Sequence, residues 1–321
     1  MCHFCYILEL IFFISIFVVH MISTEFTPPM LNGVTASKVF LPPLLVKPEC
    51  LYDYLCQQFS HIASSEWQQR FAKGLIYDAC GQLLDRHAAY IENSHVFYYR
   101  FLAHETPVPF EHEILFENEH LLVVDKPHFL TISPTGQYVQ ETLLVRLKKQ
   151  TGNAFLSPIH RLDRETAGVV LFSKQVTTRA AYQQMFAEHR VKKTYQAIAP
   201  FHANLTFPCY TRLRMQKGEP FYTMQVVEGQ ANSETYIELI THNGKWAKYQ
   251  LQPISGKQHQ LRVHLNSLGI AIQNDPFYPV VKHKPEDDFS APLQLLAQQI
   301  EFTDPITQQN MAFSSNFQLT L

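Results

Sequence analysis

An aspartate set between two arginines is the strongest chemical feature of this 321-residue sequence. The run His160-Arg161-Leu162-Asp163-Arg164-Glu165-Thr166-Ala167-Gly168 leads from a loop into an apolar stretch, Gly168–Ser173, that reads as a strand. Loops held at strand ends are where reactive groups gather. Opposite charge nearby favours the ionised form of a carboxylate, and an ionised Asp163 is a nucleophile or a base. The plainer reading of Arg-Leu-Asp-Arg is a solvated turn with local ion pairs, and on residue types alone it is the better one. Two further stretches carry reactive side chains: Lys193-Thr194-Tyr195-Gln196-Ala197, and Gly256-Lys257-Gln258-His259-Gln260-Leu261-Arg262-Val263-His264. The second sets Lys257, His259, Arg262 and His264 on or beside one helix. A basic helix face ordinarily contacts phosphate, and Tyr195 has the ordinary alternative of a core position in a strand.

The elements that must position these groups follow from hydrophobic periodicity. Strands are expected at Glu113–Phe116 and Leu121–Val124, joined by the polar turn Glu117–Glu119, with Asp125-Lys126-Pro127 breaking the second. Glu141–Gln150 reads as an amphipathic helix with Leu144 and Leu147 on one side and lysines at its C-terminal end, where the helix dipole favours them. Gln175–His189 reads as a helix with Ala180, Met185 and Phe186 facing the core. Thr194–Ala199, Thr235–Ile240 and Ala247–Leu251 read as strands, Gln258–Leu268 as a helix closed by Gly269, and Leu293–Phe302 and Ala312–Phe317 as strands. Upstream, residues 46–102 form a separate unit. Ser65–Gln68 fits a capping box ahead of a short helix containing Trp67 and Phe71, Gly74 ends it, and Leu75–Tyr77 and Val96–Phe101 follow as strands. Residues 103–111, with two prolines, read as a linker. Many strands and few helices, unevenly mixed, predict an α+β fold.

Composition narrows the function classes. A hydrophobic fraction of 46% supports a buried core and excludes global disorder. A formal charge of −2 hides segregation: residues 141–265 carry 17 Lys and Arg against 8 Asp and Glu, while the rest of the chain is acidic. A basic tract of this kind meets polyanions better than the average charge suggests. The six cysteines are few and scattered, which excludes a disulfide scaffold and fits a reducing compartment. Cys2-x-x-Cys5 has no second pair, and the sixteen histidines show no ligand spacing, so no metal is expected.

Residues 4–19 are apolar apart from Glu9 and Ser15. They fall short of the roughly 20 residues of a membrane span. No Lys or Arg precedes Lys38, so a signal peptide is not expected. The expectation is that translation begins at Met21 or Met30 and that 1–20 is upstream sequence, with a short membrane anchor as the alternative. Residues 1–45 are then an apolar segment followed by a tail.

Taken together, the motifs resemble a known family. His160–Lys174 is similar to the first motif of RluA-type pseudouridine synthases, commonly H-R-L-D-x-x-T-S-G-x-x-x-x-x-K. Lys193–Ala197 resembles their K-x-Y-x-A, and Gly256–His264 resembles G-R-T-H-Q-I-R-V-H. Gly269, Asp275 and Tyr278 fall where the family has G-x-x-x-x-x-D-x-x-Y, and Asp125-Lys126-Pro127 matches the start of its catalytic domain. The order of these separated motifs overturns the solvated-turn reading. The resemblance covers roughly residues 112–320, and it implies a catalytic domain over 112–321 built on a mixed, largely antiparallel sheet. Residues 46–102 loosely resemble the small alpha-L RNA-binding domain that often precedes it, with few basic residues.

The resemblance implies an isomerase, an intramolecular transferase that converts uridine to pseudouridine in ribosomal RNA or tRNA without a cofactor. It implies Asp163 as the catalytic group, whether by attack on C1′, attack on C6 or removal of the C2′ proton. Arg262 matches the arginine that pairs with that Asp, and Tyr195 the aromatic that packs on the extracted uracil. Leu261 joins them in the substrate set. Arg161 matches an arginine proposed to fill the gap left by the flipped base. Arg164, Lys193, Lys257 and His259 are expected against RNA, and Lys257, His259 and His264 are read as structural or backbone-contacting rather than catalytic. The chain departs from the pattern at Lys257, Gln258, Asn274, Pro279 and Ala167. Asn tolerates a left-handed backbone, so Asn274 is expected to preserve its turn. A monomer in the cytoplasm is expected. The rival classes are an RNA-binding or ribosome-assembly factor that keeps the fold without turnover, and a protein tethered to a membrane through residues 4–19.

Overall fold

The computed structural model describes residues 26–321. The segment 4–19, with its anchor and upstream readings, and the start at Met21 lie outside the described residues. The chain divides into two units: the larger holds Leu102–Leu321 together with Asn32–Val34, and the smaller the other described residues up to Phe101.

The smaller unit contains β1 (Ser37–Leu41), α1 (Leu51–Gln58), α2 (Ser64–Ala72), β2 (Ile76–Asp78) and β3 (Ser94–Tyr98). Its strands pair antiparallel in the order β1-β3-β2. Leu51, Tyr54 and Leu55 of α1 and Trp67 and Phe71 of α2 share its core with Ile76 and Val96. Strand β1 corrects the expectation of a tail just ahead of residue 46, and α1 was not expected at all. Its signal was present, since Leu51, Tyr54 and Leu55 stand at the i, i+3, i+4 spacing of a helix face. The capping box at Ser65 does not form: Ala63 is the N-cap and no side chain caps the helix. Gly74 ends α2 as expected, at φ +65.

The larger unit opens with β4 (Glu113–Glu117), β5 (Leu121–Lys126), α3 (Leu143–Thr151), β6 (Ser157–Pro158), β7 (Ala167–Ser173), α4 (Val176–Ala187) and β8 (Val191–Pro200). It continues with β9 (Cys209–Lys217), β10 (Met224–Val227), β11 (Ser233–His242), β12 (Trp246–Pro253), α5 (Gln260–Ser267), β13 (Leu295–Thr303) and β14 (Asn310–Ser314). The strands form one eleven-stranded sheet with the path β10-β9-β11-β12-β8-β13-β7-β5-β4, β14 pairing with β13 and β6 with β7. The β13–β7 pair is parallel and the other described pairs of this sheet are antiparallel. The fold is α+β, with a mixed, largely antiparallel sheet.

Side-chain alternation builds a core on each face of β5 and β7. Leu122, Val124, Val170 and Phe172 face Leu143 and Leu147 of α3. Leu121, Val123, Val169 and Leu171 face the other way, toward Tyr182 and Met185 of α4. A strand covered on both faces needs a continuous apolar run, which is what β5 and β7 supply. Farther along the sheet, Ala197, Ile237, Tyr249 and Leu251 pack with Leu261 and Leu265 of α5.

Several expectations change. Ala180 is exposed, and Tyr182 takes the buried place on α4. Asp125 and Lys126 continue β5 by pairing with Val169 and Gly168, so the break falls at Pro127. Residues 103–111 are no free linker. Val108 is buried in the first core, and its N–H donates to Glu141 at 2.8 Å. Arg146 donates to the carbonyls of Val108 and Phe110, both at 2.7 Å, and Glu105 accepts from the N–H groups of Val139, Gln140 and Glu141. Two prolines shorten a segment's hydrogen bonding; they do not keep its side chains out of a core.

Candidate active site

Asp163 lies in the turn between β6 and β7, and that turn is held from behind by β5. Lys126 is fully buried at the end of β5, and its Nζ donates to the carbonyls of Pro127 at 2.9 Å, Leu130 at 2.8 Å and Arg164 at 3.2 Å. His128 Nδ1 donates to the Glu165 carbonyl at 2.6 Å. The Asp163 carbonyl accepts from the Thr166 N–H at 3.1 Å. Two residues of one strand end therefore fasten the backbone on the C-terminal side of Asp163. Burial pushes the Lys126 ammonium down to about 7, against the opposing charges of Glu165 and Asp163. Lys126 was legible only as part of a motif; a lysine closing an otherwise apolar strand is the signal that it turns inward.

Arg262, on α5, comes to Asp163 from 99 residues away, with Nη1 3.5 Å from Oδ2. Its other nitrogens hold Asp275: Nε to Oδ2 at 2.8 Å and Nη2 to Oδ1 at 2.6 Å, with neither side chain exposed. The rings of Phe277 and Tyr278 cover the guanidinium at 4.8 and 5.4 Å. Burial opposes the charge on Arg262. The hydrogen bonds and charge of Asp275, with Asp163 and Glu165 behind them, outweigh it and raise the guanidinium above its ordinary value. Asn274, just before the anchor, is left-handed at φ 64 and so keeps the turn, as its residue type allowed.

In front of Asp163 opens a cavity of about 490 Å³, within the range of roughly 300–1,000 Å³ typical of small-molecule sites. Arg161, Asp163, Tyr195, Leu261 and Arg262 all line it, as do Lys193, Lys257 and His259. Leu261 is buried, Arg161 and Lys257 are exposed. Tyr195, on β8, is half-buried; burial and then the negative charge of Asp163 push its phenol well up. His160 closes one wall, stacked on Phe186 at 4.6 Å, with Nε2 accepting the Leu171 N–H at 3.1 Å. The cavity thus offers one carboxylate held by a buried cation, an aromatic face and a basic rim.

Two expected RNA contacts are placed differently. Arg164 does not line this cavity. Its guanidinium stands over the rings of Phe129 at 5.7 Å and Tyr138 at 5.2 Å, pairs with Glu165 at 3.3 Å, and borders a second cavity of about 280 Å³. Neighbouring side chains of a turn diverge, and rings attract a guanidinium. His259 is only 8% exposed and faces Asp163, with Nε2 3.8 Å from Oδ2. His264 is fully buried, its Nε2 2.9 Å from Ser233 Oγ, in keeping with a structural part. Among the described residues, no group of three or more His, Cys, Asp or Glu is placed to hold a metal ion, and no helix is long and apolar enough to cross a membrane.

Comparison with known proteins agrees with this geometry. The family model for RNA pseudouridylate synthase matches residues 120–267. The dual-specificity RNA pseudouridine synthase RluA of Pasteurella multocida is 30% identical over 217 residues, covering 63% of this chain and 92% of that protein. The mitochondrial tRNA pseudouridine(32) synthase of Saccharomyces cerevisiae is 29% identical over 198 residues, covering 59% of this chain and 42% of that protein. Among solved structures, human RNA pseudouridylate synthase domain containing 1 shares the fold, with a TM-score of 0.53 at 20% identity over 67% of this chain and 86% of that one. With its Asp163 loop, its Tyr195 strand and its Arg262 helix converging on one cavity, this chain belongs to the RluA-type family of RNA pseudouridine synthases.

Proposed function

We propose that this protein isomerises selected uridines to pseudouridine in ribosomal RNA or tRNA, with Asp163 as the catalytic group. The observation that carries the reading is the Asp163 carboxylate facing a nucleoside-sized cavity while Arg262, buried and anchored on Asp275, stands behind it. The names of two relatives, one a tRNA enzyme and one of dual specificity, support the choice of RNA class.

A uridine in folded RNA is stacked, so it must be extruded at a cost of a few kcal/mol. Tyr195 gives the extruded base a face to stack on. Arg161, which is exposed and lines the cavity, takes the vacated position in the helix on this reading. The N1–C1′ bond then breaks, the uracil turns within the cavity, and a C5–C1′ bond forms. The hydrogen on C5 leaves as a proton and N1 gains one, so the product is an isomer and no outside reactant is consumed. Leu261 and Arg262 bound the space in which the base turns, and Lys193 and Lys257 supply positive charge for the backbone. The scattered cysteines, free at Cys50, Cys56, Cys80 and Cys209, support a reducing, cytoplasmic setting, and we read the protein as a monomer there.

Tritium release tests the reading. Protein is incubated with unmodified ribosomal and transfer RNA labelled at uracil C5, and the hydrogen expelled from C5 is counted in water. Release by wild type and none by Asp163→Asn is the expected result. Salt-sensitive RNA binding with no release from either RNA would move the protein to the class of non-catalytic binding factors.

A further inference from the structure

We propose that His259 is a second positioning group for the Asp163 carboxylate, held by Tyr278 in the tautomer that carries its proton on Nε2. The proposal rests on the reading of Asp163 as the catalytic group and adds a residue to it.

His259 stands at the N-cap of α5 in left-handed backbone, φ 53. Its Nε2 lies 3.8 Å from Asp163 Oδ2, the oxygen that Arg262 Nη1 also approaches. On the far side of the ring, Nδ1 lies 2.9 Å from Tyr278 Oη. That oxygen accepts the Met224 N–H at 2.8 Å. A phenol has a single proton to give. With the backbone N–H already pointing into Oη, the phenol's own O–H is free to point at His259 Nδ1, which is bare in that arrangement. A neutral imidazole with a bare Nδ1 carries its hydrogen on Nε2, facing the carboxylate. The opposite tautomer would set a nitrogen lone pair against a carboxylate oxygen and leave the Tyr278 proton without this acceptor. The Nδ1–Oη bond forms in either tautomer, and the charge on Asp163 selects the one with the proton on Nε2.

The ring has little room to turn. Phe277 lies 5.5 Å from it and the Tyr278 ring 5.7 Å, at 81°. Burial lowers the imidazole pKa, with Asp163 opposing and Arg262 reinforcing the shift, in keeping with a neutral ring near pH 7. Asp275 and Glu165 also act on it, both favouring charge. Two donors converging on Oδ2, one from Arg262 and one from His259, limit rotation of the carboxylate about its Cβ–Cγ bond. That rotation decides where the other oxygen is aimed. At 3.8 Å the His259 contact is longer than a hydrogen bond, so it closes fully only with a small shift of the aspartate. Catalytic contacts commonly tighten in this way when substrate arrives.

Two variants separate positioning from mere structure, because they rank oppositely under the two roles. Glutamine places an N–H near the Nε2 position; asparagine reaches only the Nδ1 position. Asparagine, however, is the better residue in left-handed backbone. If His259 positions Asp163, single-turnover tritium release by His259→Gln stays within a few-fold of wild type and that of His259→Asn falls about tenfold to a hundredfold, with RNA affinity unchanged in both. If His259 is only structural, His259→Asn is the healthier protein and keeps the wild-type rate, which overturns the proposal. The tautomer is read independently of turnover by long-range nitrogen-15 correlation on the histidine-labelled protein, with His259→Asn identifying the signal. A bare Nδ1 and a protonated Nε2 are expected. A protonated Nδ1 overturns the proposal whether or not the protein turns over. Absence of release by wild type counts against the reading of function, and the nitrogen-15 result still decides where the proton sits.

Discussion

Arg262 grips Asp275 with two nitrogens, at 2.6 and 2.8 Å, and reaches Asp163 with its third at 3.5 Å. The two carboxylates therefore have different parts. Asp275 neutralises and anchors the buried cation through short, charge-assisted bonds. Asp163 feels the same cation from a longer distance and keeps a face toward the cavity. An arginine shared equally would tie the reactive carboxylate down; an anchored one stabilises its charge and leaves it free to meet substrate.

Asp275→Asn should therefore damage both stability and catalysis. Removing one member of a fully buried ion pair costs about 3–5 kcal/mol, largely because the other charge is left uncompensated. Urea denaturation should show a loss of that order. The protein that remains folded should release tritium more slowly than wild type while binding RNA nearly as well. A variant with wild-type stability would mean that Arg262 finds another partner.

Gly168→Ala should destabilise the fold by about 3 kcal/mol, through strain and overpacking together. Gly168 has φ +116, where L side chains are rarely found, and a Cβ there would overlap the Ala297 carbonyl of β13. The parallel β7–β13 contact at Ala297↔Gly168 depends on that absence of a side chain. Because β7 begins just after the Asp163 turn, the surviving protein should also lose rate. Thermal denaturation and single-turnover release measure the two effects.

Acid should weaken the fold through His264. Burial pushes this imidazole from 6.5 down to about 4, so between these values the unfolded chain binds a proton that the folded one does not. Its contribution is complete above pH 6.5 and is lost as the pH falls from 6.5 toward 4. By pH 5 the loss is on the order of 2 kcal/mol. Urea titrations at pH 7 and pH 5 should show the decline, and His264→Gln should remove that part of it. An equal decline in the variant would assign the effect to other groups.

RNA affinity should fall steeply with salt, because the basic tract of residues 141–265 meets phosphate. Three neutralised phosphates correspond to a loss of about 40-fold between roughly 50 and 200 mM salt. Lys257→Ala should reduce the slope of log affinity against log salt by about one contact. A flat dependence would mean that binding rests on stacking and hydrogen bonds.

The motif-bearing residues were legible because each is marked by its local sequence. Asp163 and Tyr195 stand in short runs whose residue types do not depend on distant parts of the chain. The apolar runs of β5 and β7, and the Leu261/Leu265 spacing of α5, were readable for the same reason: burial on a face imposes a period that sequence alone displays. Strand β9 was missed although Thr211, Leu213 and Met215 alternate with Tyr210, Arg212 and Arg214. Arg212 and Arg214 on its outer face, and Lys217 at its end, break up the apolar texture by which the other strands were read.

What tertiary structure decided was direction and partnership. Arg161 and Arg164 both stand within two residues of Asp163 in sequence, yet one lines the cavity and the other turns to Phe129 and Tyr138. His259 read as structural or backbone-contacting, and packing sets its ring against the aspartate. Lys126 looked like a strand end, and burial made it the clamp of the Asp163 turn. Residue types and periods are set within a few residues of the chain. Which atoms face each other across 99 residues is set by how the sheet brings β7, β8 and α5 together, and no local pattern encodes that.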